Sequence, residues 1–329
     1  MMKNMRRTLV VLVVTVSLIF SIPIFSFAQT YPTKPIHMII TFPPGGSVDP
    51  STRALVEGAK KFLDQPIIIA NRAGGGGTVG IAEAATQKPD GYDIVSFVVS
   101  GLTRVPHLRP VPYKLEDIVP IMQFAQVPSG VAVQASSPWK TFKELIDHAR
   151  KNPKKVKFST QGVSIPQDVS MELIARKEGI SWIVVPYKGT APAITALLGG
   201  HVDFTCVSTD FIPHVKAGKF RALAILDQKR LDDFPEIPTL GELGYDFLNE
   251  YITDVGFFIG APKGTPLSVL EKLDNVFHKG MEDPIFVQTL KNMQLRPFYR
   301  GHKELPAFLK KMSDEFARLG KELNLKAEQ

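Results

Sequence analysis

Only one cysteine, Cys206, stands in the 329 residues. Its solitude excludes an internal disulfide, a paired-cysteine redox centre and a thiolate zinc site. Its place in the apolar run from Val202 to Val207 reads as a small buried hydrophobe. Catalytic signatures are missing too: there is no G-x-S-x-G, no H-E-x-x-H and no G-x-x-x-x-G-K-[ST]. The seven histidines are scattered, and His201 with Asp203 makes too small a ligand set for a metal. No cofactor is expected. Charge of one sign is also scarce, with 39 basic against 32 acidic residues and a net +7. The first 28 residues carry three of the basic groups and no acidic one, which leaves 36 against 32, a mild +4. That balance gives no footprint for nucleic acid, and the cluster from Lys151 to Lys157 reads as a solvated loop.

Long apolar runs are absent except at the start. Residues 1–28 have a basic opening (Lys3, Arg6, Arg7) and an apolar stretch from Leu9 to Phe27 broken by Ser17, Ser21 and Pro23. They end in the small-residue site Ser26-Phe27-Ala28. This pattern predicts a signal peptide cleaved before Gln29 and a periplasmic product. About 300 residues then remain, the length at which one core stops growing and a chain divides into two lobes.

What is present is alternation of short apolar runs with helical patterns. Strands are expected at Ile36–Phe42, Pro66–Ala70, Asp93–Val99, Gly130–Gln134, Val156–Thr160, Trp182–Val185, Val202–Val207, Arg221–Leu226 and Gly256–Ala261. Between them, Thr141 and Glu144 form a capping box, and Thr190–Leu198 is a helix stopped by Gly199-Gly200. Thr265-Pro266 opens a further helix, and a last one carries an apolar stripe from Leu305 to Leu323. The fold class is α/β.

Two of the strand-to-helix connections look alike. In the first, the strand ending at Phe42 runs into Pro43-Pro44-Gly45-Gly46-Ser47, with Asp49 expected as N-cap and Pro50 as the first helical residue of a helix reaching about Leu63. In the second, Thr160-Gln161-Gly162-Val163-Ser164 leads into Pro166, with Ser164 and Gln167 expected as a capping box. Free N–H groups and the positive end of the helix dipole make each connection a cradle for an anion. Two such cradles, placed on facing lobes, would hold a carboxylate through backbone N–H groups at Gly45, Gly46, Gly162 and Val163, with Lys188 contributing little. A different reading attaches to Gly75, Gly77 and Gly80, which spell G-x-G-x-x-G and would suit a periplasmic dehydrogenase. Four residues separate that motif from its strand, and no acidic residue follows at the expected place, so the loop reads as a permissive turn near the cleft.

An ordered series of motifs carries a family resemblance over essentially the whole chain after residue 28. It runs Tyr31-Pro32-Thr33-Lys34-Pro35-Ile36, then Phe42-Pro43-Pro44-Gly45-Gly46 with Asp49 and Arg53, Asn71-Arg72 with its glycines, and Pro89-Asp90-Gly91-Tyr92. It continues with Tyr187-Lys188-Gly189, Leu197-Leu198-Gly199-Gly200-His201-Val202-Asp203, Gly218-Lys219-Phe220-Arg221 and Ala261-Pro262-Lys263-Gly264-Thr265-Pro266. The chain resembles the periplasmic substrate-binding proteins of tripartite tricarboxylate transporters, the Bug family. The resemblance implies a two-lobed type II periplasmic-binding fold, two mixed sheets flanked by helices with a ligand cleft between lobes, and no catalysis. It implies a monomer that passes a small organic carboxylate to membrane permease subunits. A sensor role is the alternative within the same fold. Residues 29–128 would form the first part of domain 1, 129–247 domain 2, and 248–329 the return to domain 1, with hinges near 124–134 and 245–256. The implied ligand-binding positions are Pro43, Pro44, Gly45, Gly46, Ser47 and Asp49 in the first loop, and Thr160, Gln161, Gly162, Val163, Ser164, Gln167 and Asp168 in the second. The segment from Asp203 to Ser208 and Thr209 would line the second lobe. The chain departs from the family's second loop, which usually reads Ser-x-Gly-x-Gly followed by His-Leu, in having Ser164 and then Asp168-Val169.

Overall fold

The computed structural model describes residues 31–325 apart from Lys188, so the expected signal peptide lies outside the described residues. Eleven strands form two sheets among those residues. The first sheet contains β1 (Ile36–Ile40), β2 (Ile67–Asn71), β3 (Asp93–Val98), β4 (Ile118–Gln126), β10 (Gly256–Pro262) and β11 (Arg296–Gly301), in the order β11-β4-β10-β3-β1-β2. The second contains β5 (Ser129–Gln134), β6 (Lys157–Thr160), β7 (Ile183–Pro186), β8 (Phe204–Ser208) and β9 (Phe220–Leu226), in the order β7-β6-β8-β5-β9.

Both sheets are mixed in the same way. In the first, β1 runs parallel to β2 and β3, whereas β10 is antiparallel to β3 and β4. In the second, β6 is parallel to β7 and β8, and β5 is antiparallel to β8 and β9. Parallel pairs demand crossovers, and helices supply them: α1 (Val48–Ala59) and α2 (Thr78–Ala85) in the first lobe, α5 (Pro166–Glu178) and α6 (Thr190–Leu198) in the second, where α4 (Phe142–Lys151) joins β5 to β6. A short helix, α3 (Val99–Thr103), follows β3, and the chain ends in α7 (Leu267–Gly280), α8 (Pro284–Asn292) and α9 (Leu305–Leu323).

Each lobe has its own core. Ile39, Ile81, Val95, Phe97 and Phe258 of the first lobe pack under Leu305, Phe308 and Met312 of α9. Phe142, Phe158, Trp182, Phe204 and the buried thiol of Cys206 fill the second. The chain passes from one sheet to the other at Val127-Pro128 and returns through residues 227–255. A smaller apolar group ties the lobes together, with Val169 of α5 against Ile252, Phe316 and Leu319.

Two strands were not expected from the sequence, and both contain proline. Pro120 sits inside β4 opposite Gly260, at a register shift where the ladder is interrupted and no N–H is required. Pro297 occupies a similar irregularity in β11, which is an edge strand and tolerates the missing donor. The start of α1 also differs from expectation. The helix begins at Val48, so Ser47 is the N-cap and Asp49 lies within the first turn, and its α-helical part ends at Ala59 before a 3₁₀ turn over Lys60–Phe62. The reason is local: the Asp49 carboxylate is drawn to Asn71 and Arg53, as described next.

Candidate functional site

The loops that follow β1, β3, β6, β7 and β8 all open on one cleft, as expected where parallel strands present their carboxyl ends to a crevice. The cleft is a cavity of about 660 Å³ between the two sheets. It continues into a neighbouring cavity of about 860 Å³, with Phe42, Pro43, Ser100, Arg104, Gln161, Ile165, Pro166 and Gly189 shared by both. The first loop contributes Pro43, Gly45, Gly46 and Ser47, and the second contributes Gln161 and Gln167 on one side and Val163 and Ser164 on the other. Ser208 and Thr209 close the wall of the second lobe.

The first loop is held from behind. Gly45 has φ +85°, a backbone state that only glycine adopts without cost, whereas Gly46 has no such requirement. Asn71 donates from Nδ2 to the Phe42 carbonyl and to Asp49 Oδ1, both at 2.9 Å, and Arg53 Nε donates to the same Asp49 oxygen at 2.9 Å. Burial pushes the Asp49 carboxyl up, but the bonds from Asn71 and Arg53, the Arg53 charge and the Gly45 N–H together leave it below its ordinary value. Asp49 therefore braces the loop; it does not line the cleft.

The second loop is held from in front. Gln161 accepts from the Ser208 N–H at 2.9 Å and from Thr190 Oγ1 at 2.8 Å, and donates to Ser208 Oγ at 2.9 Å. One amide thus fastens the loop to the end of β8 and the start of α6. Ser164, expected as half of a capping box with Gln167, instead adopts φ +56°, and its N–H donates to Asp168 Oδ2 at 2.7 Å. Ile165 is the N-cap, Pro166 opens α5, and Gln167 turns to Ser129 Oγ at 2.6 Å. Gln167 Oε1 is buried and finds no partner among the described residues. Burial raises the pKa of Asp168, offset in part by the Ser164 N–H.

Several positions named from the sequence stand elsewhere. Pro44, Thr160, Gly162 and Asp168 belong to the two loops but do not line the cavities. Asp203 sits at the opposite end of β8 from the cleft, where its carboxylate accepts the Lys157 N–H at 2.7 Å. Its side chain closes the strand pairing and has no route to the ligand space. Lys188 lies outside the described residues. The Gly75–Gly77 turn does reach the cleft, through Gly75 and Gly76, but the Gly75 carbonyl is committed to Arg109 Nη2 at 2.8 Å and Thr78 Oγ1 at 3.0 Å.

Sequence reasoning missed Arg104. It follows α3, is 3 % exposed, and lines both halves of the cleft. Nη2 donates to the carbonyls of Ile252 and Asp254 in the returning crossover, each at 3.0 Å. Nη1 is buried without a partner among the described residues. Burial lowers its pKa to about 10, against the opposing charge of Asp254, so it stays cationic at neutral pH. Burial likewise pushes the Asp254 carboxyl up to about 6, although Gln123 and Gln126 donate to it. The only signal in the sequence is one charge inside the apolar stretch from Phe97 to Val105.

Residues 51–325 match the model of the tripartite tricarboxylate transporter family receptor. Protein BugT of Bordetella pertussis is 32% identical over 298 residues, covering 88% of this chain and 89% of that one. The crystal structure of a TctC solute binding protein from Polaromonas superposes with a TM-score of 0.79 at 25% identity, over 89% of this chain and 100% of that one. A protein of R. palustris solved with adipate superposes with a TM-score of 0.72 at 25% identity, over 90% and 99%.

Proposed function

The chain belongs to the tripartite tricarboxylate transporter receptor family, a family of solute-binding receptors and not of enzymes, and we propose that its cleft captures a small organic carboxylate in the periplasm for uptake. The observation that carries this reading is the pair of braced loops at the carboxyl ends of β1 and β6, facing one cavity from two sheets. Backbone N–H groups of Gly46, Ser47, Gln161 and Val163 would take the carboxylate, because a helix start offers unpaired donors and a favourable dipole at once, and the Gly45 and Ser164 N–H groups are already given to Asp49 and Asp168. The adipate bound by the R. palustris relative supports the ligand class. Lobe 2 (129–247) would swing on the crossovers at 124–134 and 245–256 to admit the acid, and the closed form would be presented, as a monomer, to membrane permease subunits. Cleavage after Ala28 would accompany export.

A thermal-shift screen of mono-, di- and tricarboxylates tests this. At least one acid should raise the melting temperature in a concentration-dependent way without being consumed, and small-angle scattering of the saturated protein should show compaction. Turnover of an acid, or a panel without any shift, would refute the receptor reading.

A further inference from the structure

We propose that Arg104 receives a second anionic group of the ligand, so that the cleft selects a diacid over the same acid with one carboxylate masked. The inference rests on the carboxylate reading above and adds the second pole to it.

Three observations converge on Arg104. The first is its pinning: both bonds to the crossover carbonyls use Nη2 alone, a task that a neutral amide NH₂ could perform. A guanidinium is not needed for that purpose, and burying one is costly. The second is the orphan: Nη1 has no acceptor among the described residues, although a buried donor on a cation is among the most expensive groups to leave unpaired. The adjacent acid does not consume it, since the Asp254 carboxylate is held by Gln123 and Gln126. The third is the charge of the surroundings. Among the described residues, the half of the cleft containing Gly75 is lined by two cations, Arg104 and Arg109, and by no acidic side chain. The other half holds Asp210. An acid gripped at Gly46 and Ser47 would therefore extend its far end toward Arg104, where a planar guanidinium already fixed by two carbonyls meets a carboxylate with little ordering left to do.

The test uses the full exported chain and a series of straight-chain diacids from malonate to suberate, each paired with its monomethyl ester, in isothermal titration. The wild type should bind at least one diacid more than about tenfold tighter than its half-ester. Arg104→Gln should weaken that diacid about thirtyfold and the half-ester less than about threefold, which erases the preference. A half-ester that binds the wild type as tightly as its diacid overturns the proposal and leaves the carboxylate reading standing, without recourse to any variant. Equal losses for both ligands in Arg104→Gln, with Arg104→Lys behaving alike, also overturn it, since that is the signature of a residue that only pins the crossover. If neither diacids nor half-esters bind, this proposal is overturned, and the carboxylate reading is decided separately by the thermal-shift panel of mono- and tricarboxylates.

Discussion

The two loops that face the cleft reach similar conformations by opposite means. In the first, glycine supplies the left-handed backbone at Gly45, and a polar trio behind the loop, the ion pair of Asp49 and Arg53 with the Asn71 amide, holds it in place. In the second, a side-chain-bearing residue, Ser164, occupies the left-handed state, and its strain is offset by Asp168 on one flank and the amide of Gln161 on the other. A loop of glycines needs a brace to stop it moving; a loop without them needs a brace to force it into shape.

The largest expected effect is at the second brace. Gln161→Leu removes three hydrogen bonds and strands the Ser208 N–H, and should cost about 2–4 kcal/mol in urea unfolding together with most of the ligand affinity. A loss under half a kcal/mol would mean that the second loop holds itself. Next comes the first loop: Gly45→Ala forces an L side chain into φ +85° and should cost about 1–2 kcal/mol, while Gly46→Ala stays within about 0.5 kcal/mol. Equal costs at the two positions would contradict the assignment of the turn to Gly45. The two aspartates should then separate by pH. Asp49 has its pKa depressed by folding, so it contributes stability above about pH 4 that is lost as pH falls through its lower folded value. Asp168 has its pKa raised, so its contribution is present below about pH 4 and is lost as pH rises through the folded value. Stability-against-pH curves of Asp49→Asn and Asp168→Asn should therefore differ from wild type on opposite limbs, and Asp168→Asn should be at least as stable as wild type at neutral pH. Curves displaced on the same limb would show that the two braces are electrostatically equivalent. The smallest effect is a gain, with Ser164→Gly stabilising by about 0.5–1 kcal/mol as left-handed strain is relieved.

The α/β alternation and the apolar strands were legible because a buried parallel strand is a nearly continuous apolar run. β4 and β11 were not, since Pro120 and Pro297 break the pattern and only pairing with β10 and β4 shows where a proline can be tolerated. The cradle loops were visible as glycine and proline punctuation, but the roles inside them were not. Ser164 and Gln167 have the spacing of a capping box, yet Asp168 lies one residue further and, as the stronger acceptor, takes the Ser164 N–H. Arg104 was invisible for a different reason. Its burial depends on residues 252 and 254, about 150 positions away, and nothing local to Thr103-Arg104-Val105 encodes that contact.

The central claim is that the anion is held by backbone N–H groups from both loops. Glycine labelled with nitrogen-15 reports on it directly, because Gly45 and Gly46 stand in the first loop and Gly189 beside the second, while Gly199, Gly200 and Gly218 lie away from the cavities. On saturation with a carboxylate that stabilises the protein, the amide signals of Gly45, Gly46 and Gly189 should move, that of Gly46 downfield as expected for a new bond to an anion, and those of the remote glycines should stay in place. Unmoved Gly45 and Gly46 signals at full saturation would contradict the account.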